Sequence, residues 1–319
     1  NDDVLNAIAD TYGMDKHQII VGNGAAELLY AICRLPGYTG AFVPAPGFSE
    51  YKEALEASKI PVRDIFYRPR EDDNGKPYFE VPYLALETFA AELKGQDGRI
   101  IVFLGNPNNP DGTLLDKDHI RTVASMLKDA NSLLVIDESF IDFVGNDPLQ
   151  DNEHSMRSLV NEFDNIIVVH SFTKFYAVPG LRIGAAFANE TLITQLQQYI
   201  PSWSVNTLAQ AYTKAALNDV DYIKQTKQEL NEERAFMYNA LDDIEGITVY
   251  PPSANFMLFQ VNQKGITANY INEELKKYNM IVRNCDSYVG LTNHWVRIAI
   301  KDHETNIKLV DKLTNILKV

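Results

Sequence analysis

Residues 171–184 read Ser-Phe-Thr-Lys-Phe-Tyr-Ala-Val-Pro-Gly-Leu-Arg-Ile-Gly, and the reading of this stretch decides the fold. Just before it, residues 166–169 form a short β-branched apolar run that predicts a buried strand. At the strand's end come two hydroxyls, Ser171 and Thr173, then Lys174, Pro179-Gly180 and Arg182. Hydroxyls and an arginine around one lysine suit a phosphate beside a reactive amine. Arg182 can grip the phosphate with its fork of donors, and Lys174 can condense with an aldehyde. A phosphorylated aldehyde held through lysine is pyridoxal 5′-phosphate. A lone Ser-x-Thr-Lys is more often a polar turn after a strand, so the assignment must rest on the remaining chain.

A chain of 319 residues can bury a large core and predicts one large domain with a smaller one. With 45% hydrophobic and 23% charged residues, its composition is that of a soluble globular enzyme. The net charge of −14 argues against nucleic acid or an anionic membrane as the main partner. An anionic substrate then requires a local basic pocket inside an acidic exterior. No apolar run approaches the roughly 18–20 residues that span a bilayer, and the opening residues lack a signal-peptide pattern. Cys33 and Cys285 make neither a disulfide framework nor a zinc spacing, which points to the cytoplasm. The six histidines show no metal-type spacing, so no metal is expected.

Upstream, residues 5–12 read as the end of an amphipathic helix and 18–21 as a strand, followed by Gly22-Asn23-Gly24-Ala25-Ala26-Glu27. Leu28, Leu29, Ile32 and Leu35 continue at helical spacing. Small residues opening a helix let backbone N–H groups approach an anion at the positive end of the dipole. Alone, this motif fits a methyltransferase cofactor loop or a plain Gly-rich turn equally well. Residues 41–43 predict a strand, and Pro44-Ala45-Pro46-Gly47-Phe48 a loop entering a helix over 49–57. Phe48 can fill the core or stack on a planar heterocycle. Residues 60–66 read as a strand, 68–76 as an exposed hairpin or loop, and 89–93 as helix.

The apolar run 100–104 ends in Gly105-Asn106-Pro107-Asn108-Asn109-Pro110-Asp111-Gly112-Thr113, a loop that can continue neither strand nor helix. It is either a plain connection or the strand-end position where α/β proteins place their chemistry, with Asn109 offering its amide. Residues 118–127 read as helix, and 133–136 as a buried strand ending in Asp137-Glu138-Ser139-Phe140-Ile141-Asp142-Phe143. A strand ending in Asp-Glu also resembles a Walker B segment, but no G-x-x-x-x-G-K-[ST] occurs anywhere. An aspartate there can instead pair with a protonated pyridine nitrogen and make the ring an electron sink.

Beyond the lysine stretch, 183–187 read as a strand, 192–200 and 207–217 as helices, and 219–241 as a connecting helix. A small α+β unit follows, with strands at 248–250, 255–260, 280–283 and 295–300 and helices at 271–278 and 304–317. The expected division is 13–235 for the large cofactor-binding domain and 236–319 for the small one, with 1–12 as a residual N-terminal segment.

Taken in order, G-N-G-A-A-E, N-P-N-N-P-D-G-T, V-I-D-E-S-F, S-F-T-K-F-Y and P-G-L-R-I-G resemble the fold-type I class I/II aminotransferase group over essentially the whole chain. The resemblance implies an α/β fold with a large, mostly parallel seven-stranded sheet and a small α+β C-terminal domain. It also implies pyridoxal 5′-phosphate as cofactor and a cytoplasmic homodimer. By the same resemblance Lys174 binds the cofactor and shuttles protons, Asp137 pairs with the ring nitrogen, and Asn109 with the phenolic oxygen. Phe48 stacks on the ring, while Ser171, Thr173 and Arg182 hold the phosphate with backbone at Gly24 and Ala25. Arg297, in W-V-R-I-A-I, clamps the substrate α-carboxylate. Arg283, in I-V-R-N-C, is a second basic group near the substrate, and Asn255 joins this substrate-side set.

Two branches of the group compete: L-threonine O-3-phosphate decarboxylases of cobalamin biosynthesis and histidinol-phosphate aminotransferases. Segments P-G-F-S-E-Y, D-E-S-F-I-D-F, P-S-W-S-V-N and I-V-R-N-C-D-S-Y-V-G-L look like the decarboxylase branch. Phe140 and Phe48 stand where many of the aminotransferases carry tyrosine. Family members usually begin some tens of residues earlier, with a histidine-glycine segment and an N-P-L-G-type loop. Here Asn1 is expected to lie within the helix that follows that loop. Other classes make distinct forecasts. A methyltransferase would bind no lysine-linked chromophore, and a non-catalytic PLP-fold protein would keep Lys174 but turn nothing over.

Overall fold

The central strand segments are apolar at nearly every position rather than at alternate ones, so both of their faces must be covered. The structure, a computed structural model, describes residues 2–93, 98–147 and 149–318. The expected outer limits at residues 1 and 319 lie outside these. In chain order the strands are β1 (Ile19–Gly22), β2 (Tyr38–Ala45), β3 (Val62–Phe66), β4 (Arg68–Glu71), β5 (Pro77–Glu80) and β6 (Arg99–Gly105). They continue with β7 (Leu133–Asp137), β8 (Ile166–Ser171) and β9 (Gly184–Ala188). Seven of them make one sheet in the order β1-β9-β8-β7-β6-β2-β3, with β9 alone antiparallel to its neighbours. The charged stretch after β3 is the β4–β5 hairpin.

Side chains alternate between two cores. Val102, Leu104, Leu134, Ile136, Ile166 and Val168 point to one, and Ile101, Phe103, Leu133, Val135, Ile167 and Val169 to the other. Helices α1 (Asp2–Tyr12), α4 (Tyr83–Leu93), α5 (Lys117–Asp129) and α8 (Thr207–Leu217) cover the first. Helices α2 (Gly24–Cys33), α3 (Ser49–Ala57) and α7 (Glu190–Gln197) cover the second. Side-chain caps start several of these helices: Asp116 accepts from Asp118 and His119 N–H groups, and Asn206 from Ala209 N–H.

A single-turn helix, α6 (Phe172–Phe175), follows β8, and the long α9 (Val220–Asp242) leads into a second sheet. That sheet joins β10 (Ile247–Val249), β11 (Phe256–Val261), β12 (Arg283–Asn284) and β13 (Trp295–Ala299) in the antiparallel order β10-β11-β13-β12. Met237 and Leu241 of α9, together with α10 (Ala268–Lys276) and α11 (His303–Leu317), complete its core. Leu230 of α9 packs against both this core and the first one. Among the described residues no helix is long and apolar enough to cross a membrane.

Several elements differ from expectation in their limits, among them α1, β2, β3, α10, α4, α7 and β12. Helix α4 begins at Tyr83, six residues before the predicted 89. Helix α7 stops at Gln197, short of the predicted 200. Strand β12 holds two residues rather than 280–283, because the donors before it are already engaged. Met280 N–H bonds back to Leu275 O, and Val282 N–H to the Asn272 side chain.

Beside β7, fully buried Glu138 accepts from Ser155 Oγ at 2.7 Å, Met156 N at 2.6 Å, Asn106 Nδ2 at 3.1 Å and Arg157 Nη1 at 3.4 Å. Arg157→Met should destabilise the fold by about 3–5 kcal/mol, because it strands a buried carboxylate without its cation. Adding Glu138→Gln to that variant should recover part of the loss. Denaturant melts of the three proteins check both statements.

Candidate active site

β6, β7 and β8 are parallel neighbours, so whatever follows their carboxyl ends arrives in one place. Asn109 sits in the loop after β6, Asp137 closes β7, and Lys174 stands on α6 immediately after β8. Asp137 is buried, and two donors hold its carboxylate: Ser139 N–H reaches Oδ1 at 2.8 Å, and the Tyr51 hydroxyl reaches Oδ2 at 2.9 Å. Lys174 is half-buried, its amine 5.2 Å from the centroid of the Phe140 ring. Burial pushes the amine's pKa down; the Asp137 charge opposes this, and the Arg182 charge adds to it. A lysine so placed is more readily neutral and nucleophilic.

An anion cradle lies on the β9 side. Gly184 of β9 pairs with Gly22 on one side and Ser171 on the other, which brings the start of α2 against the end of β8. A Cβ added at Gly184 would come within 2.6 Å of Ala25 N, so only glycine permits that approach. Gly24 has φ +81°, and an added Cβ would lie 2.6 Å from Arg182 Nη2. The Asn23 side chain makes no capping bond to α2, which leaves the first-turn N–H groups to another acceptor. Ser171 Oγ and Thr173 Oγ1 are 2.8 Å apart at the same strand end. Helix N–H groups, two hydroxyls and a guanidinium make a donor set that fits a phosphate.

On the other side stands the small sheet. Arg297 of β13 donates to Asn109 Oδ1, as does the Tyr288 hydroxyl at 3.1 Å. With its oxygen so occupied, Asn109 presents its amide nitrogen as a donor. The Arg297 guanidinium lies 5.3 Å over Phe256, which meets Phe140 edge-on at 5.1 Å. Arg283 is the direct cross-strand partner of Arg297, and its guanidinium lies 5.7 Å from the Tyr288 ring. Phe48, 37% exposed, turns its ring edge-on to Tyr51 with centroids 5.7 Å apart.

The structure thus groups Gly24, Ala25, Ser171, Thr173 and Arg182 on one side of Lys174 and Asp137, and Asn109, Arg283 and Arg297 on the other. Asn255 instead lines a different cleft of about 510 Å³ with Phe143, Glu229, Glu233 and Lys301. Tyr51, Tyr288 and Phe256 were not expected at the site. Tyr51 had one legible signal, since it stands three positions after Phe48, the spacing at which side chains at a helix start become neighbours.

A strand-end lysine, a buried aspartate and a phosphate cradle on a mostly parallel seven-stranded sheet define a pyridoxal 5′-phosphate-dependent enzyme of fold type I. The residues present fit that group: an amine for its aldehyde, a carboxylate for its ring nitrogen and donors for its phosphate. The chain belongs to the family described as aminotransferase class I and II, whose model matches residues 1–313. It is 33% identical over 97% of its length to the adenosylcobalamin biosynthesis bifunctional protein CobDQ of Leptospira interrogans, of which it covers 34%. It is 31% identical over 96% of its length to a putative threonine-phosphate decarboxylase of Caldanaerobacter subterraneus, covering 79% of that protein. Its fold superposes with a TM-score of 0.87 on the histidinol-phosphate aminotransferase of Clostridium acetobutylicum, at 25% identity, covering 99% of this chain and 89% of that one.

Because neutral lysine is the form that captures an aldehyde, cofactor loading by the apo-protein should accelerate as pH rises. The lowered amine pKa places that rise below the ordinary lysine range, and stopped-flow absorbance against pH measures it. Arg182→Ala should move the rise to higher pH, since it removes a neighbouring positive charge, and should also weaken cofactor affinity.

Proposed function

We propose that the protein decarboxylates L-threonine O-3-phosphate to aminopropanol phosphate, as a step of cobalamin biosynthesis. The observation that carries this reading is the pairing of Arg283 with Arg297 across β12 and β13. Like charges directly opposite one another destabilise a sheet, and an anionic substrate offsets that cost. A phosphorylated amino acid brings two anionic groups, a carboxylate and a phosphate, to two guanidinium groups. The similarity to CobDQ and to a threonine-phosphate decarboxylase points the same way.

In this reading Lys174 holds the cofactor and later moves a proton, Asp137 balances the charge on the ring nitrogen, and Asn109 donates to the phenolic oxygen. Phe48 packs on the ring face; Ser171, Thr173, Arg182 and the backbone of Gly24 and Ala25 take the phosphate. When bound, the cofactor supplies an electron sink for the pair left behind by a broken Cα bond. Which Cα bond is weakened would be set by how the two guanidinium groups hold the anionic groups of the substrate. Arg297, braced by Asn109, directs the α-carboxylate, and Arg283 takes the distal phosphate. Lys174 then returns a proton to Cα. We also take the enzyme to be a cytoplasmic homodimer, in keeping with the family.

The second reading is a histidinol-phosphate aminotransferase, favoured by the close superposition on such an enzyme. There the same arginine serves the carboxylate of glutamate, and Lys174 delivers its proton to the cofactor instead. A product assay separates the two. Release of CO2 and aminopropanol phosphate from L-threonine O-3-phosphate alone is expected; glutamate formed from histidinol phosphate and 2-oxoglutarate would establish the aminotransferase. Lys174→Ala should lose the visible band of the lysine-bound cofactor. Asp137→Ala should retain cofactor but lose turnover, and near-wild-type rates in that variant would contradict the electron-sink role.

A further inference from the structure

We propose that Tyr51 is a positioning residue for the reaction, setting the charge and place of Asp137 while bracing Phe48. This rests on the ring-nitrogen role of Asp137 and the stacking role of Phe48 given above. Tyr51 lies in the first turn of α3, on the side facing the sheet, and is 3% exposed. Its ring stacks on Phe103 of β6, centroids 5.2 Å apart and planes 13° from parallel. It also receives the edge of Phe48 at 87°. One aromatic side chain therefore touches both the residue meant for the ring face and the residue meant for the ring nitrogen.

The plainer account is a core tyrosine whose hydroxyl found a convenient acceptor, as buried tyrosines generally do. Two features go further. Asp137 already accepts from Ser139 N–H, so the Tyr51 hydroxyl is a second donor on a carboxylate with about four lone-pair positions. Burial and the Asp137 charge also push the Tyr51 phenol well above its ordinary pKa, so it keeps its proton and remains the donor. The other ionisable groups around this pair are Tyr67 and Tyr288 beside Tyr51, and Lys174 beside Asp137. With Tyr51 donating, negative charge on the carboxylate is partly absorbed. Without it, the carboxylate keeps only the Ser139 N–H of these two anchors and would sit less squarely against the ring nitrogen, so the electron sink weakens.

Tyr51→Phe keeps the ring on Phe103 and removes only the hydroxyl, so a folded, cofactor-loaded variant is expected. Its kcat should fall roughly ten- to a hundredfold, the scale of one hydrogen bond to a charged group, with KM little changed. The pH at which the visible band of the lysine-bound cofactor changes should move upward. A carboxylate that has lost a donor carries fuller negative charge, which favours the protonated form of the lysine-linked nitrogen. Both proteins should then be loaded with a cofactor analogue carrying carbon in place of the ring nitrogen. The difference between wild type and Tyr51→Phe should vanish with that analogue. An unchanged kcat and band midpoint would overturn the proposal, as would the same loss persisting with the carbon analogue. If Asp137→Ala loses turnover while Tyr51→Phe does not, only the Tyr51 inference fails. If Asp137→Ala is itself near wild type, the reading beneath it fails.

Discussion

The parallel alignment of β6, β7 and β8 is the constraint on which the rest of the structure depends. Parallel strands need both faces covered, and the two interleaved cores supply that cover with side chains that alternate residue by residue. Burial on both faces leaves only the strand ends open to solvent and ligand. Asn109, Asp137 and Lys174 occupy those ends side by side although they are far apart in sequence. The chemistry is thus placed by the sheet, and the loops only choose which groups to present.

The antiparallel strand β9 does a different task. It inserts between β1 and β8, and its first residue, Gly184, touches the edges of both through backbone alone. That contact draws the uncapped start of α2 toward the hydroxyls of Ser171 and Thr173. Three separate segments that carry anion-binding donors are therefore brought together by one residue that lacks a side chain.

Much of this was legible in the sequence, for reasons that differ by region. Strands such as β7 and β8 are short continuous apolar runs whose starts follow from composition, while pairing carries each one or two residues past the apolar run, to Asp137 and Ser171. Glycine-rich and proline-rich loops announce themselves equally well. Strand β12 was misplaced because its neighbours donate their N–H groups to helix α10, a competition invisible without the fold. Tyr51 gives little sign of a role in the sequence, because an aromatic residue on the inward side of a helix is ordinarily core. Its meaning lies in a hydroxyl meeting a carboxylate 86 positions away. Tyr288 and Phe256 belong to the same class, their roles arising only where the small sheet faces the large one. Asn255, one position before Phe256, lines the cleft beside Glu233 and Lys301.

Arg283 and Arg297 lie directly across from each other on the final strand pair, of which β12 contributes only two residues. Two like charges therefore face each other at the shortest strand of the smaller sheet. On the proposed reading, an anion bound between the two guanidinium groups would also tie that edge to the sheet, so substrate would lend stability to this corner while it stays. Saturation with substrate and local rigidity of this edge would then be a single equilibrium.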